Sequence, residues 1–301
     1  MLMENTNDKK EKGEKTMTGK YLNPKADLTF KLLFGEHPDL AMSLLNALLP
    51  LPDDGQITSV EYATPEMVPD NPAKKNSIVD VRCKDQQGRQ FIVEMQLYWS
   101  DEFRQRVILN ASKAVVKQLN EGEDYTLIQP VYSLNLINDI GFESDPDEFY
   151  HDYAIVDVAH TDRIIEGLRL VFVELPKFKP MSIAEKKMAV LWLRFLTEIS
   201  EKTEVAPAEL LENEQTRKAL SIVEKSAFTE GQLYAYEQFW DAVVNERVLR
   251  QKFYREGRAK GLAEGERKNS LETARKMKED HVSADVIAKY TGLSIVEIEA
   301  L

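Results

Sequence analysis

Residues 78–97 read IVDVRCKDQQGRQFIVEMQL and contain the strongest structural signal in the chain. Two apolar runs rich in β-branched residues flank a polar turn that includes Gly88, a pattern typical of a β-hairpin. Each run carries one acid, Asp80 in the first and Glu94 in the second. A carboxylate in such a run is costly to bury unless a cation compensates its charge, and a divalent metal is the usual compensation.

The alternation of side chains indicates that the two acids share a face, because successive residues of a strand point to opposite sides. The predicted apolar face comprises Val79, Val81 and Cys83 of the first run and Phe91, Val93, Met95, Leu97 and Trp99 of the second. The other face comprises Asp80, Arg82 and Lys84, followed by Ile92, Glu94, Gln96 and Tyr98. We therefore expect Asp80 and Glu94 to lie close enough to share a cation. The alternative is a half-solvated hairpin whose polar face meets only water.

The composition is that of a soluble globular protein, with 301 residues of which 43% are hydrophobic and 30% charged. No apolar run is long enough to predict a membrane-spanning helix. The first 20 residues lack the apolar core of a signal peptide, and we expect them to be disordered. The lone cysteine, Cys83, excludes an intrachain disulfide and fits a reducing cytoplasm. The four histidines are scattered and show no zinc-ligand spacing.

The net charge of −12 is unusual for a DNA-binding protein, but the charge is unevenly distributed. Residues 121–245 contain 24 acids and 11 bases, whereas residues 246–280 contain 7 acids and 11 bases. Residues 103–120 contain four bases and no acid: Arg104, Arg106, Lys113 and Lys117. A basic helix beside a carboxylate site suits a phosphodiester substrate. The alternative is an ordinary solvated helix face.

The remaining pattern predicts a mixed α/β domain followed by helices. Leucines at helical spacing predict a helix over 27–49, kinked or split at Pro38. Strands are predicted at 57–63, in the hairpin, and at 131–137, 153–158 and 168–174, and helices at 103–119, 183–199, 207–225 and from Gly231 onward. The first six of these elements follow the order α-β-β-β-α-β.

The C-terminal region carries glycines at a regular spacing of four residues: Gly257, Gly261 and Gly265. Each costs a helix about 1 kcal/mol relative to alanine, so we expect either a close helix–helix approach in a homodimer or a flexible joint. Residues 284–301 read as a small helix-turn-helix. Their second helix offers Glu297 and Glu299 but no base, which favours packing or oligomerisation over DNA recognition.

Several motifs in order resemble one known family. Residues 27–35, DLTFKLLFG, resemble the opening of the PD-(D/E)XK family transposases, also called the recombination-promoting nuclease or Rpn group. Further matches, in order, are 44–49, Asp80, Gly88-Arg89, Glu94-Met95-Gln96, Arg106, Ser112, 118–125 and 174–178. The resemblance spans residues 21–301. The chain departs from the pattern at Asn110, where the family often has tyrosine.

The resemblance implies a restriction-endonuclease-like core, a mixed sheet flanked by helices, over residues 21–180. It implies a helical extension over 181–245 and a helical tail over 246–301, after the N-terminal segment 1–20. The implied activity is a metal-dependent DNA endonuclease, with double-stranded DNA as substrate, in recombination or mobile-element processes. The alternative is a catalytically degenerate nuclease fold that serves as a DNA-binding or protein-assembly module.

The resemblance also implies roles for individual residues. Asp80, Glu94 and the backbone carbonyl of Met95 would hold Mg²⁺ or Mn²⁺, and Gln96 would occupy the catalytic position usually held by lysine. Asp27 would be either a second-metal ligand or a helix cap. Lys31, one turn later, would supply the positive charge that Gln96 lacks. The expected phosphate contacts are Lys31, Arg104, Arg106 and Lys113.

Overall fold

The computed structural model describes residues 19–66, 78–142, 146–179 and 188–301. Residues 1–18 of the predicted N-terminal segment therefore lie outside the described residues. The same holds for residues 183–187 of the helix predicted over 183–199. Contact density divides the chain into two units, the first ending at Tyr236 and the second running from Glu237 to Leu301.

The first unit is built on a six-stranded mixed sheet. Its strands are β1 (Val60–Tyr62), β2 (Val81–Asp85), β3 (Gln90–Gln96), β4 (Val131–Ile137), β5 (Tyr150–Asp157) and β6 (His160–Glu174), in the spatial order β1-β2-β3-β4-β6-β5. The central strands β3, β4 and β6 run parallel, whereas β1, β2 and β5 pair antiparallel to their neighbours. This is the predicted αβββαβ order, with one further hairpin at the β5 edge.

Helices cover both faces of the sheet. The helices of the first unit are α1 (Asp27–Gly35), α2 (Pro38–Leu48), α3 (Asp101–Val116), α4 (Met188–Glu198), α5 (Ala208–Glu212) and α6 (Glu214–Ile222). Pro38 is the first residue of α2, so the split predicted there is confirmed. The main core joins α1, α2 and α4–α6 to one face of the sheet, and α3 packs on the other face through Phe103, Val107, Ala111 and Ala114.

The hairpin forms as predicted, with two corrections to its predicted apolar face. Trp99 does not share the face of Phe91 and Val93; it packs beside Phe103 and Phe172 on the α3 side, because β3 ends at Gln96 and the alternation stops there. Gly88 in its turn has a φ of 81°, a left-handed conformation that glycine adopts without strain. Val79 does not share a face with Val81 and Cys83, as the alternation predicted; it packs with Ile92 on the α3 side. The backbone bends at Asp80 before β2 begins at Val81, and this bend breaks the two-residue period.

The second unit is helical. Helix α7 runs from Glu230 to Glu279, starting in the first unit, and is followed by α8 (Ala284–Thr291) and α9 (Ile295–Glu299). A small core formed by Ala274, Ile287, Leu293 and Ile298 packs α8 and α9 against the end of α7. Arg267 on α7 bonds Glu297 on α9 at 2.7 Å, so this acid has a structural partner.

Candidate active site

The two predicted carboxylates meet where β2 begins. Val81 pairs with Val93 in the antiparallel register, which makes Asp80 and Glu94 neighbours one position further along. Glu94 points to the side of the sheet that carries α3, and α1 contacts the same end of β2 from the opposite face. The bend at Asp80 thus places this carboxylate just before β2, beside Met95 of β3 and between the faces covered by α1 and α3. We call the place defined by Asp80, Glu94 and Met95 the catalytic corner.

Asp80 is held by a backbone group of the neighbouring strand. Its Oδ2 accepts a hydrogen bond of 2.7 Å from the backbone N–H of Met95. Burial raises the pKa of Asp80 above its usual range, and the negative charge of Asp27 adds to this, although the Met95 bond works in the opposite direction. The positive charges of Lys31 and Arg106 lie near enough to lower this pKa in part.

Glu94 is more deeply buried, with 5% of its surface exposed. Its Oε1 accepts a hydrogen bond of 2.9 Å from the side-chain amide of Asn110, and Arg106 lies 3.7 Å from its Oε2. Burial raises the pKa of Glu94, the Asn110 bond and Arg106 lower it, and the charge of Asp80 raises it further. Two neighbouring acids that both resist ionisation form a site where a cation would be stabilised.

Gln96 holds Arg106 in place. Its Oε1 accepts a hydrogen bond of 2.7 Å from the Arg106 guanidinium, and its Nε2 donates to the backbone carbonyl of Tyr98 at 2.8 Å. The guanidinium also lies 5.0 Å from the ring centre of Phe103. Because its two ends are hydrogen-bonded in this way, the Gln96 amide holds the Arg106 guanidinium beside Glu94.

Asp27 and Lys31 form a pair on α1. Lys31 Nζ lies 2.6 Å from Asp27 Oδ1, one helical turn away, and both side chains are about half exposed. The N-cap of α1 is Ala26, and no side chain caps the helix there, so the capping role considered for Asp27 is not present. Both residues border the corner, since their charges act on the pKa of Asp80.

The donor set fits a hard divalent cation. In an extended strand the N–H and C=O of one residue point to the same side. The carbonyl of Met95 therefore points towards Asp80, along a part of β3 that β2 leaves unpaired. Two carboxylates and a carbonyl are the oxygen ligands that Mg²⁺ and Mn²⁺ prefer. In the described parts of the chain, no three acidic, histidine or cysteine side chains converge on one point, and the role of Asp27 as a second-metal ligand stays a prediction.

The other predicted phosphate contacts lie at different places on α3. Arg104 packs over the rings of Trp99 and Phe142, at 5.2 Å and 5.4 Å from their centres, and has no contact with the two carboxylates. Lys113 lies one turn beyond Asn110 on the face of α3 that carries Arg106. Of the three predicted contacts on α3, Arg106 therefore lies beside Glu94, Lys113 lies further along the same helix face, and Arg104 packs on the aromatic rings instead.

The comparison with protein families agrees with this geometry. The family model described as PD-(D/E)XK nuclease family transposase matches residues 24–249. The chain belongs to this family. Membership supports a nuclease-type function and implies a DNA substrate, and nucleases of this kind generally use divalent metals. No curated protein and no solved structure matches the chain.

Sequence reasoning missed how this family member supports its site. Asn110 appeared only as a departure from the family pattern, yet it is fully buried and donates to Glu94. A polar residue at a core position of α3 was the available signal, because Asn110 falls in helical register with Phe103, Val107 and Ala114.

Within the described residues, no helix is both long and apolar enough to cross a membrane.

Proposed function

We propose that this protein is a metal-dependent DNA endonuclease that hydrolyses phosphodiester bonds in DNA recombination or mobile-element processes. The observation that carries the proposal is that Asp80 and Glu94 are neighbours where β2 begins, and that burial raises the pKa of both carboxyl groups. A fold without catalytic use gains nothing from keeping two such acids side by side.

Asp80, Glu94 and the carbonyl of Met95 would hold Mg²⁺ or Mn²⁺. When bound, the metal supplies an activated water and polarises the scissile phosphate. The Met95 N–H holds Oδ2 of Asp80, and Asn110 holds Oε1 of Glu94, so each acid is fixed through one oxygen. Fixing the ligands in advance lowers the reorganisation that substrate binding requires.

Arg106 would stabilise the negative charge that develops on the phosphate, the role that lysine usually fills at the position of Gln96. Support comes from the Gln96 hydrogen bond, which orients the guanidinium beside Glu94. Arginine binds phosphate oxygens through two parallel donors and stays charged at any working pH. Gln96 is then a positioning residue, and Lys31 is a second cation whose charge is shared with Asp27.

Cleavage of supercoiled plasmid tests the proposal. Purified protein is incubated with Mg²⁺, Mn²⁺, Ca²⁺ or EDTA, alongside Asp80→Asn and Glu94→Gln, which keep the shape of each side chain. We expect cutting with Mg²⁺ or Mn²⁺ that both variants abolish. The control is Asp162→Asn, an exposed acid on β6 purified in the same way, which should cut like the wild type.

Cutting that survives in both variants would indicate a contaminant, and no cutting by the wild type would favour the DNA-binding or assembly module on a degenerate fold. Two further proposals accompany the main one. Cytoplasmic location is supported by the single, buried Cys83. Homodimerisation through the C-terminal tail is supported by the spacing of Gly257, Gly261 and Gly265 on α7.

A further inference from the structure

Charge is segregated along α7. Residues 230–246 carry four acids and no base, whereas residues 247–260 carry six bases and one acid, Glu256. Every residue from Val244 to Asn269 is exposed. The basic stretch therefore presents its full charge to the solvent, in a protein whose catalytic region, residues 21–120, holds 13 acids and 11 bases.

Charge is also segregated around α7. With about 100° between successive residues, all four arginines of the stretch fall within about 140° of the helix circumference. We call this sector the arginine face; within residues 247–260 it comprises Arg247, Arg250, Gln251, Tyr254, Arg255 and Arg258. Three neighbouring acids and both lysines of the stretch lie outside it: Glu246, Glu256, Glu264, Lys252 and Lys260.

Two of the three ion pairs described in this region lie on the other side of the helix. Lys252 lies 3.8 Å from Glu256, and Lys260 lies 3.9 Å from Glu264. Arg250 bonds Glu246 at 3.0 Å, at the border of the arginine face. The ion pairs of α7 among the described residues do not include Arg247, Arg255 or Arg258, so these three guanidinium groups have unused charge and donors.

The chemistry of the arginine face matches a phosphate backbone. Arg247 and Arg258 are eleven residues apart, which corresponds to a rise of about 16 Å along the helix and so to several phosphates of one strand. Planar guanidinium groups bind phosphate oxygens with two donors each. Tyr254, 70% exposed between them, adds a hydroxyl of the kind that commonly contacts phosphates.

We propose that the arginine face of α7 binds the phosphate backbone of duplex DNA as a second contact, outside the catalytic corner. This proposal rests on the proposed nuclease function, from which it takes duplex DNA as the substrate. It assigns part of the affinity for DNA to helix α7. Phosphate contacts carry most of the sequence-independent affinity for DNA. A catalytic region with no excess of bases gains that affinity from a basic surface elsewhere in the chain.

The test compares two variants of the full chain that lose the same charge. Arg247→Gln/Arg258→Gln alters the arginine face, and Lys252→Gln/Lys260→Gln alters the opposite side. Binding of a fluorescent duplex is followed by anisotropy in Ca²⁺ across a range of salt concentrations. We expect the arginine variant to bind about tenfold more weakly and to reduce the salt dependence by about two phosphate contacts, with at most a small effect of the lysine variant.

Equal losses in both variants, or no loss in the arginine variant, would overturn the arginine face as a DNA site. Light scattering on the same samples tests an alternative partner for the arginine face, namely the acidic residues 230–246 of a second copy of the chain. Loss of a dimer in the arginine variant with DNA affinity unchanged would assign the face to that partner instead. Wild-type binding without cleavage in Mg²⁺ would reject the nuclease proposal and leave the arginine face standing.

Discussion

At the level of single residues, Asp80 and Glu94 reduce the stability of the metal-free fold. Burial raises the pKa of both groups, so the folded protein holds their protons more tightly than the unfolded chain. Stability should then fall as the pH rises from the ordinary carboxyl range through the raised pKa values, and stay lower above them. An ordinary ion-paired acid has the opposite pH dependence, because its contribution to stability increases as the pH rises.

Glu94→Gln should therefore raise the stability of the metal-free protein at neutral pH, by about 1 kcal/mol, while abolishing cleavage. The amide oxygen can still accept the Asn110 hydrogen bond, and the charge that opposes burial is gone. Urea unfolding at several pH values in EDTA measures the effect. The control is Glu61→Gln, an exposed acid on β1, which should change little. A less stable Glu94→Gln protein would show that the carboxylate serves the fold.

Asn110→Ala should shift the acid limb of the pH–rate profile upward and lower the cleavage rate by about tenfold. The Asn110 bond lowers the pKa of Glu94, so its removal makes this acid harder to ionise. The profile distinguishes positioning from simple loss of stability, which would leave the pH dependence unchanged. Gln105→Ala, an exposed neighbour on α3, is the matched control. An unshifted profile would contradict the positioning role.

The alternation of a strand was sufficient to predict that Asp80 and Glu94 lie together, since it is a local property of the backbone. The partners Asn110 and Arg106 were harder to assign, because they depend on how α3 docks on the sheet. Arg104 and Arg106 are only two residues apart, and the sequence grouped them as one basic surface. In the structure, Arg104 packs over the ring of Trp99, whereas Arg106, two residues later on α3, lies beside Glu94.

At the level of elements, a buried ionic cluster joins β5, β6 and the segment after β4. Glu174 is fully buried; its Oε2 lies 2.8 Å from His151 and 2.7 Å from Lys177, and its Oε1 accepts from the backbone N–H groups of Gly141 and Phe142. Burial opposes the charge, but these donors prevail and hold the pKa of Glu174 below its usual range.

Glu174→Gln should destabilise the protein by about 3–5 kcal/mol, because His151 and Lys177 would both lose the buried carboxylate that they contact. In the wild type, the contribution of Glu174 is present above the ordinary glutamate pKa and is lost as the pH falls through its lowered value. Urea unfolding between neutral and acidic pH measures both effects. Glu166→Gln, an exposed acid on the same strand, is the control, and equal losses in the two variants would contradict the role of the cluster.

Elements were predictable where a local signal existed. Strand β4 has the predicted bounds, and Pro38 divides α1 from α2 as expected. The cluster around Glu174 had no such signal, because His151 and Glu174 are 23 residues apart and meet only through the pairing of β5 with β6. The bend at Asp80 was also hidden, since β-prone residues lie on both sides of it.

At the level of the whole molecule, the three regularly spaced glycines of α7 contact no other element among the described residues. Apart from the adjoining backbone of α7 itself, a Cβ added to Gly257, Gly261 or Gly265 would meet no described atom within 4 Å. Replacing all three by alanine should stabilise α7 by about 1 kcal/mol per site and convert the proposed homodimer to a monomer. Sedimentation or light scattering measures the second effect, with Ala259→Ser/Ala263→Ser as the control. A triple variant that stays dimeric would reject close approach at the glycines.

The central claim concerns a divalent cation bound by Asp80 and Glu94, and calorimetric titration of the full chain with Mn²⁺ tests it most directly. We expect the wild type to bind Mn²⁺ at a site that Mg²⁺ competes for, with a melting temperature that rises as the site fills. Asp80→Asn and Glu94→Gln should each abolish that binding, whereas Asp162→Asn should keep it. Binding that persists in both site variants, or no binding by the wild type, would contradict the claim.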